Sequence, residues 1–528
     1  MSQTMKNMTL EQGAGVSTGA CADKETMKNM TLEQIAGACG GTYVGSEADK
    51  KKEISGAVID SRLVEPGYLF IPIKGAKVDG HRFIPDVFTK GALAVLSEQK
   101  LENPAGPYIL VASTEAAMKR IAAYYRRTLD IKVVGITGSV GKTSTKEMIA
   151  SVLSQKYNVL KTEGNLNNEI GLPLTIFKIR QQHEIAVLEM GISEFGEMHR
   201  LSEMAYPDIC VITNIGTCHL ENLHTRDGIL QAKTECFSHM KENGIAVLNG
   251  DDDKLCTKKS VNGKPAVFYG MGKKVAVVDT ETGEESFPEK SIYATDVEVM
   301  GLTGTKAVIH IETEKKSPEV PADREEPYSP QGVKEQNQAE SESMEITFPV
   351  EIPIAGEHNV YNALAATAVA VRLGLNAEEI RRGIETVQTI GGRSNLIHKD
   401  GITVIDDCYN ANPVSMKASV DVLSKAPGRK LAVLGDMGEL GSEERQLHYS
   451  VGEHFKGKNI DILFCTGVLS KEIINAVQVN SPKTEIRYME SKEALIEEIK
   501  KCRKAGDTIL VKASHFMGFS DIVSCITK

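Results

Sequence analysis

The sequence predicts an α/β protein of several domains, on the basis of three observations. Its 528 residues are too many for one hydrophobic core. Short runs of Val, Ile and Leu alternate with stretches of helical periodicity, which is the pattern of parallel sheets covered by helices on both faces. A glycine-rich stretch at 135–144 stands between one such run and a predicted helix. Together these features predict a nucleotide-binding α/β core.

The chain divides into an extension and three α/β segments. The extension, 1–26, contains the stretch Thr-Met-Lys-Asn-Met-Thr-Leu-Glu-Gln, which recurs at 26–34, and we expect it to be flexible. Short, mainly apolar runs predict strands at 67–73, 92–96, 131–136, 185–189, 209–213, 245–248, 403–406, 430–434, 462–464 and 508–511. Helices are predicted at 114–129, 142–153 and 359–373. The predicted domains are a small α/β domain at 27–112, a central domain at 113–390 and a C-terminal Rossmann-like domain at 391–528.

The stretch 313–343 interrupts the central domain. It is rich in Glu, Lys, Ser, Pro and Gln and nearly free of large apolar side chains. Such a composition cannot bury enough apolar surface to fold. We therefore predict a disordered acidic insertion there.

Composition and charge exclude several classes of protein. The net charge of −10 argues against a nucleic-acid partner, and the absence of any run of about 18 apolar residues argues against a membrane span. The N-terminus lacks the apolar segment of a secretory signal. Ten cysteines without a Cys-x-x-Cys pair indicate reduced thiols. We expect a cytoplasmic monomer that acts on small molecules.

Residues 135–144 read Gly-Ile-Thr-Gly-Ser-Val-Gly-Lys-Thr-Ser. The common phosphate loop has a glycine five positions before its Gly-Lys pair, and this chain has Ile136 there. The backbone N–H groups of residues 139–142 and the following helix N-terminus are still expected to form an anion nest. Lys142 would supply a charge to the β- and γ-phosphates, and Thr143 a hydroxyl to Mg²⁺.

Two further polar residues follow predicted strands of the same sheet. Glu189 ends the strand at 185–189, and His219 comes shortly after the strand at 209–213. Because the carboxyl ends of parallel strands meet at one edge, Glu189 is a candidate Mg²⁺ ligand and His219 a candidate for a second metal site. Lys233 lies in a helical stretch, where a lysine is normally a solvated charge.

The short-spaced loop resembles that of the Mur ligases, ATP-dependent amide-bond ligases of peptidoglycan precursor synthesis. Further motifs are similar to the member of that family that adds D-alanyl-D-alanine to UDP-N-acetylmuramoyl-tripeptide. These motifs are Asp60-Ser61-Arg62, Asp79-Gly80-His81, Asn165-Leu166-Asn167-Asn168, His358-Asn359-Val360-Tyr361-Asn362, Asp406-Asp407-Cys408-Tyr409-Asn410-Ala411-Asn412-Pro413 and Gly435-Asp436-Met437-Gly438-Glu439. They fall in family order across residues 27–525, outside the insertion. The resemblance implies the three-domain Mur ligase architecture.

The resemblance also implies roles for individual residues. The implied ATP site comprises Gly138, Ser139, Val140, Gly141, Lys142, Thr143, Ser144, Asn362 and Arg393. Two Mg²⁺ ions would be held by Thr143, Glu189, His219 and Lys233, the last as a carbamate. The UDP end of the precursor would contact Asp60, Ser61 and Arg62, and the remaining substrate contacts would be Asn167, Asn168, Tyr409, Asn410 and Asn412. Lys142, Lys233, His219 and Arg393 are the implied catalytic residues.

The implied reaction has two steps. The terminal carboxylate of the tripeptide is phosphorylated by ATP, and the amine of D-alanyl-D-alanine then displaces phosphate from the acyl phosphate. Two alternatives remain open, a ligase of the same fold with another amine acceptor and an inactive homologue that serves as a scaffold. The stretch Lys512-Ala513-Ser514-His515 departs from the family, which usually has Lys-Gly-Ser followed by a basic or polar residue. The third residue of the tripeptide, lysine or diaminopimelate, also stays open.

Overall fold

The computed structural model describes residues 26–75, 77–273, 277–278, 285–286, 290–314 and 343–528. The chain separates into two compact units. The first holds the described residues up to Ala246 with Val261–Lys264 and Glu439–Gly441, and the second holds Val247–Ser260, Pro265–Gly438 and Ser442–Lys528. The predicted extension lies outside the described residues apart from Thr26. So does the predicted acidic insertion, apart from residues 313, 314 and 343, which belong to strands.

The first unit begins with a five-stranded sheet in the order β1-β5-β4-β3-β2. Only the β1–β5 pair is antiparallel. A small core of Phe70, Val87 and Val95 lies against it. The elements are α1 (Leu32–Cys39), β1 (Thr42–Val44), α2 (Glu47–Lys50), β2 (Gly56–Val58), β3 (Tyr68–Phe70), α3 (Ile84–Thr89), β4 (Ala94–Ser97), β5 (Tyr108–Leu110) and the long α4 (Thr114–Thr128).

The second copy of the repeated stretch is part of this fold. Met27 and Met30 are fully buried. Thr31 caps α1 through a capping box, since its hydroxyl accepts the N–H of Gln34 while the Gln34 side chain accepts the N–H of Thr31. The apolar side chains of the second copy therefore contribute to the core of the first unit.

The phosphate-loop region of the first unit has four parallel strands in the order β9-β6-β8-β7. Helices connect them, as parallel pairing requires. The elements are β6 (Lys132–Thr137), α5 (Lys142–Leu153), β7 (Val159–Lys161), α6 (Gly171–Ile176), β8 (Ile185–Glu189), α7 (Glu197–Ala205), β9 (Ile209–Ile212), α8 (Leu220–Leu223) and α9 (Arg226–Thr234). The limits between the two units fall within the next three strands, β10 (Ile245–Asn249), β11 (Ser260–Val261) and β12 (Lys264–Pro265).

In the second unit the strands run in the order β18-β17-β16-β13-β10. Pairing is parallel from β10 to β16 and antiparallel from β16 to β18. The elements are β13 (Val267–Met271), β14 (Val277–Val278), β15 (Glu285–Ser286), β16 (Ile292–Val299), β17 (Thr305–Glu314), β18 (Ser343–Ile352), α10 (His358–Arg372) and α11 (Ala377–Glu385). The prediction of purely parallel strands is wrong here, because a link of only five residues, 300–304, joins β16 to β17 and forces a reversal.

The rest of the second unit contains a six-stranded sheet in the order β19-β20-β24-β21-β22-β23. Only its edge strand β19 is antiparallel. The elements are β19 (Asn395–Lys399), β20 (Ile402–Asp406), α12 (Pro413–Ser424), β21 (Arg429–Leu434), α13 (Glu444–Glu453), β22 (Ile462–Cys465), α14 (Ser470–Asn480), β23 (Glu485–Tyr488), α15 (Lys492–Cys502), β24 (Asp507–Lys512) and α16 (Ser520–Thr527). This sheet, parallel except at its edge and with helices alternating between its parallel strands, agrees with the predicted Rossmann-like fold.

The predicted strands and helices are all present, with ends that differ by a few residues. None of the helices in the described ranges is long and apolar enough to cross a membrane. The nine described cysteines are free thiols. Short 3₁₀ turns occupy Ser61–Leu63, Gly80–Phe83, Glu235–Phe237, Leu255–Thr257, Gly441–Glu443 and His515–Met517.

Candidate active site

The phosphate loop joins β6 to α5 and depends on two glycines. Gly138 has φ +146°, and a Cβ there would lie 1.9 Å from the hydroxyl oxygen of Thr213. Gly141 has φ +83° and is the N-cap of α5. A left-handed conformation at the N-cap turns the chain directly into the helix, and only glycine takes it without cost. The unusual spacing therefore leaves the strand–loop–helix geometry of a phosphate site intact.

The loop is braced by Asn214, just after β9. The N–H of Ser139 donates to the backbone carbonyl of Asn214 at 3.0 Å, and the N–H of Val140 to the Asn214 side-chain oxygen at 2.9 Å. The Asn214 amide donates back to the Val140 carbonyl at 3.0 Å. The predicted nest of four N–H groups is thus too large, because two of them hold the loop in shape. The backbone N–H groups at the N-terminus of α5 remain available to bind an anion. The Nζ of Lys142 donates to the Gly138 carbonyl at 2.9 Å.

Glu189 lies beside this loop, as its strand position predicts. It is opposite Ile136 in the β6–β8 register and only 1% exposed. One carboxylate oxygen accepts from Asn167 Nδ2 at 2.8 Å. The other oxygen, like the hydroxyl of nearby Thr137, has no hydrogen-bond partner among the described residues. That oxygen nevertheless has a cationic neighbour, since Nζ of Lys146, a residue that is also 1% exposed, lies 3.7 Å away. A buried carboxylate oxygen that accepts no hydrogen bond can still coordinate a metal cation.

Asn167 and Asn168 are engaged within the protein. Asn167 donates to Glu189, and Asn168 Oδ1 accepts the N–H groups of Ile170 and Gly171 at 3.2 and 2.8 Å. Asn168 therefore orders the turn into α6. Asn167 is linked to the site by its hydrogen bond to Glu189. Thr137, which begins the loop motif, is a further candidate site residue that was not predicted from the sequence.

His219 caps α8 in the left-handed conformation, with φ +59°. Its Nδ1 lies 2.6 Å from Oε2 of Glu439, a residue that belongs to the first unit. The interaction with His219 holds the pKa of Glu439 below its usual range. Glu439 was not among the predicted site residues, and its only signal was its place in a family motif. The contact is close but is not a well-aligned hydrogen bond, since Nδ1 has no hydrogen-bond partner among the described residues. The Glu439 carboxylate is therefore a charged neighbour on the Nδ1 side of the ring, and Nε2 is available to a metal.

Lys233, on α9, is buried in the same unit. Its side chain is 1% exposed, and its Nζ has no hydrogen-bond partner among the described residues. Burial, together with the positive charge of Lys142, lowers the pKa of Lys233 to about 7. Since the sequence alone places a helical lysine in solvent, the structure departs from that expectation. The amine is a nucleophile near neutral pH, because a large fraction of it is unprotonated.

The residues expected at the UDP end lie in the N-terminal sheet region. Asp60 caps the 3₁₀ turn that begins at Ser61, and its carboxylate binds the guanidinium of Arg62 at 2.6 Å. These hydrogen bonds lower the pKa of Asp60. Lys90 Nζ donates to the Ser61 carbonyl at 2.7 Å. Arg62 is largely exposed, so its other N–H groups are open to a ligand.

The second unit carries the remaining predicted residues. Asn362, 6% exposed on α10, donates to Asn359 Oδ1 at 2.9 Å. The Arg393 guanidinium lies 4.1 Å from the centre of the Tyr409 ring. Asn410 Oδ1 accepts the N–H of Ala411, and Asn412 caps α12. Asn412 thus has a structural role in addition to the predicted one.

The departure at Ala513 has no conformational cost. Ala513 is fully buried and is not among the described residues with positive φ. Any L-residue can take its backbone conformation. The preceding Lys512 is 2% exposed and donates to the carboxylate of Asp407 and to the carbonyl of Asn410.

The donor chemistry of the first unit fits a hard divalent cation bound with a substrate. No three His, Cys, Asp or Glu side chains in the described ranges lie close enough to hold a metal ion by themselves. Mg²⁺ commonly takes one or two carboxylates and completes its shell with phosphates and water. Glu189, whose Oε2 accepts no hydrogen bond in the described part of the chain but lies 3.7 Å from Lys146 Nζ, and the Thr143 hydroxyl at the start of α5 meet that requirement.

Comparison with known proteins agrees with this geometry. Three family models match in chain order: the Mur ligase family catalytic domain at 53–135, the Mur ligase middle domain at 136–370 and the Mur ligase glutamate ligase domain at 392–515. The UDP-N-acetylmuramoyl-tripeptide–D-alanyl-D-alanine ligase of Bacillus subtilis is 36% identical over 477 residues, 89% of this chain and 92% of that protein. This chain belongs to the Mur ligase family.

Solved structures of Mur ligases named MurF share the fold. A crystal structure of MurF from Acinetobacter baumannii matches with TM-score 0.76 and 30% identity, over 94% of this chain and 98% of that one. MurF from Thermotoga maritima, solved in complex with ADP, matches with TM-score 0.70 and 29% identity, over 89% and 96%. The predicted resemblance and the three-domain α/β Mur ligase architecture are confirmed.

Proposed function

We propose that the chain is an ATP-dependent, ADP-forming ligase that joins D-alanyl-D-alanine to UDP-N-acetylmuramoyl-tripeptide in peptidoglycan synthesis. The observation that carries this proposal is the braced phosphate loop beside the buried carboxylate of Glu189, which has one oxygen that accepts no hydrogen bond among the described residues. Similarity to relatives named UDP-N-acetylmuramoyl-tripeptide–D-alanyl-D-alanine ligase supports this choice of substrates.

The proposed chemistry begins with attack of the tripeptide carboxylate on the γ-phosphorus of ATP. ADP leaves, and the carboxylate becomes an acyl phosphate. The free amine of D-alanyl-D-alanine then attacks the carbonyl carbon through a tetrahedral intermediate, loses a proton and displaces inorganic phosphate. The first step brings anions together, so Lys142 and Arg393 are proposed to offset charge on the phosphates. Gly138–Ser144 and Asn362 are proposed nucleotide contacts.

Magnesium is proposed to be held by Thr143, Glu189, His219 and Lys233, at up to two sites. When bound, it would neutralise phosphate charge and polarise the γ-phosphoryl group. The protein's own contribution is to keep these donors fixed before substrates arrive. Asn167 does so for Glu189 through a hydrogen bond, and Glu439 places a carboxylate beside Nδ1 of His219.

Lys233 is proposed to carry a carbamate. Its unpartnered amine attacks CO₂, forms an N–C bond and releases one proton, which leaves an anionic oxygen ligand for Mg²⁺. The burial of Nζ without a hydrogen-bond partner among the described residues supports this role. For the substrates, Asp60, Ser61 and Arg62 are proposed to meet the UDP group, and Asn167, Asn168, Tyr409, Asn410 and Asn412 to shape the peptide and dipeptide sites.

Phosphate release by the full chain tests the proposal. The assay contains ATP, Mg²⁺ and UDP-N-acetylmuramoyl-tripeptide, with and without D-alanyl-D-alanine. Release that depends on the dipeptide, with a pentapeptide product by mass, is the expected result. Release with another amino acid instead would identify a ligase with another acceptor. ATP binding without any release would identify an inactive scaffold.

The carbamate has a separate test. In ¹³C-bicarbonate buffer the protein should show a carbamate carbon signal that is absent from Lys233→Ala. Lys241→Ala is the matched control, because Lys241 lies in the same unit but pairs with Asp208. A Lys233→Ala variant with full activity would refute the assignment.

A further inference from the structure

Arg393 lies in a short segment between α11 and β19 whose backbone is held by two neighbouring carboxylates. The N–H of Gly392 donates to Asp406 Oδ2 at 2.8 Å, and the N–H of Ser394 donates to Asp407 Oδ1 at 3.1 Å. Asp406 is the last residue of β20, and Asp407 follows it. The residues on both sides of Arg393 are therefore anchored to the carboxyl end of one strand.

The Asp407 carboxylate is itself fixed. Its Oδ2 accepts from Lys512 Nζ and from the Ser419 hydroxyl, each at 2.6 Å. Lys512 ends the neighbouring strand β24 and is 2% exposed, so it supplies a buried counter-charge. Both oxygens of Asp407 are thus engaged within the protein, which leaves it a structural anchor and not a free acid.

The anchored segment has a conformation that the chain would not adopt easily without support. Gly392 has φ +77° and Ser394 has φ +49°. A serine in the left-handed region costs on the order of 1 kcal/mol and persists only where its surroundings hold it. The N–H of Tyr409 donates to the Gly392 carbonyl at 3.1 Å, and the Tyr409 ring supports the guanidinium. Backbone and side chain of Arg393 are therefore both held.

We propose that Asp406 and Asp407, with Lys512 as the counter-ion of Asp407, are positioning residues for Arg393. They fix the backbone on both sides of the arginine, so that its guanidinium is oriented before nucleotide binds. This inference rests on the proposed function, in which Arg393 contacts the ATP phosphates. Hydrogen bonds from N–H groups to carboxylates are among the stronger ones, which suits them to this task.

A double-mutant cycle in the full-length enzyme tests the proposal. Asp407→Asn removes the charge that pairs with Lys512 and leaves one acceptor oxygen for three donors. In one orientation the amide NH₂ faces the Ser394 N–H and the backbone anchor is lost. In the other the NH₂ faces Lys512 and Ser419, and the support that holds the side chain in place is lost. We expect kcat to fall about 10- to 100-fold, as for a misplaced catalytic group. KM for UDP-N-acetylmuramoyl-tripeptide should stay within about twofold, since that ligand is not bound by Arg393. In an Arg393→Met background, Asp407→Asn should change kcat by less than about twofold, because its effect acts through the arginine.

Asp507→Asn is the matched control. Asp507 is a buried acid at the opposite end of β24, paired with Arg429 at 2.7 Å and far along the strand from Lys512. It should lower thermal stability with kcat nearly unchanged. If Asp407→Asn reduces kcat by the same factor with and without Arg393, the positioning role is wrong. If Asp407→Asn does not fold, Asp406→Asn replaces it, and loss of folding in both would make the acids determinants of folding and overturn the proposal. A wild-type protein without dipeptide-dependent phosphate release would instead refute the proposed function.

Discussion

Gly138 is the position at which the phosphate loop tolerates no side chain. Its positive φ is one obstacle, and the 1.9 Å distance between an added Cβ and the Thr213 hydroxyl oxygen is a second. We expect Gly138→Ala to weaken ATP binding at least about tenfold, because the loop must open to relieve the clash. Nucleotide titration by calorimetry measures this.

Gly164→Ala is the control for that substitution. Gly164 also has positive φ, +54°, but nothing lies within 4 Å of its added Cβ. Gly164→Ala should introduce backbone strain without a steric clash, and its ATP affinity should be close to that of the unchanged protein. Equal losses of ATP affinity in both variants would contradict the role given to the clash.

The titration of Lys233 makes the free energy of unfolding depend on pH. With a folded pKa of about 7 and an ordinary value of 10.5, the unfolded chain binds one more proton than the folded chain between those limits. The free energy of unfolding should therefore rise with pH in that window, by up to about 1.4 kcal/mol per pH unit, and level off below pH 7. Urea unfolding in CO₂-depleted buffer at pH 7, 8 and 9 measures the slope.

Lys233→Met should remove that contribution to the slope. The variant keeps the volume of the side chain but has no proton to bind. A pH profile that is the same for both proteins would show that the Lys233 amine titrates at its ordinary pKa in the folded state.

At the scale of the element, Asn412 caps a helix and is also a predicted substrate contact. Its Oδ1 accepts the N–H of Ser415 at 2.9 Å, the Ser415 hydroxyl accepts the N–H of Asn412, and Pro413 occupies the first turn of α12. Asn412→Ala should lower the free energy of unfolding by about 1 kcal/mol, while Asn412→Ser should restore most of it, because serine also caps helices. Chemical denaturation measures both.

The same pair of variants separates the cap from substrate contact. If Asn412 also meets the dipeptide, as the resemblance implies, Asn412→Ser recovers stability but keeps a raised KM for D-alanyl-D-alanine. A normal KM in both variants would limit Asn412 to capping.

Element limits were predicted correctly where a local signal marks them. Helix 142–153 and strand 185–189 have the predicted limits, since the glycine-rich loop sets the start of the helix and Glu189 ends the apolar run of the strand. The antiparallel β16–β18 region was missed. Alternating residues predict a strand but not the direction of its partner, which depends on the length and path of the connection.

At the scale of the whole first unit, Glu169 joins three segments that are distant in sequence. It precedes α6 and binds Lys119 of α4 at 3.1 Å and Arg200 of α7 at 3.2 Å. Burial alone would raise the pKa of Glu169, but hydrogen bonds from Arg200 and Lys119 outweigh it and lower the pKa. Its stabilising effect is therefore present above the ordinary value of 4.5 and is lost as pH falls through the lower folded pKa.

We expect Glu169→Gln to lower the free energy of unfolding by about 1–3 kcal/mol at pH 7, because two cations lose a charged partner. The difference should shrink as the pH falls below about 4. Glu163→Gln is the control, since its pair with Lys178 is exposed on both sides and is expected to contribute less than about 1 kcal/mol. Urea titrations at pH 7 and 3.5 measure both variants, and a pH-independent difference for Glu169→Gln would contradict the ion-pair explanation.

The sequence by itself determined the class of fold, the phosphate loop and the strand-end position of Glu189. These depend on local periodicity and on glycines at fixed offsets, which are properties of neighbouring residues. Only the tertiary structure decided that Asn214 occupies two N–H groups of the predicted nest, that Glu439 meets His219, and that Lys233 is buried without a hydrogen-bond partner among the described residues. Each of these depends on residues tens to hundreds of positions apart. Burial and pairing across such distances arise from packing, which residue spacing along the chain does not encode.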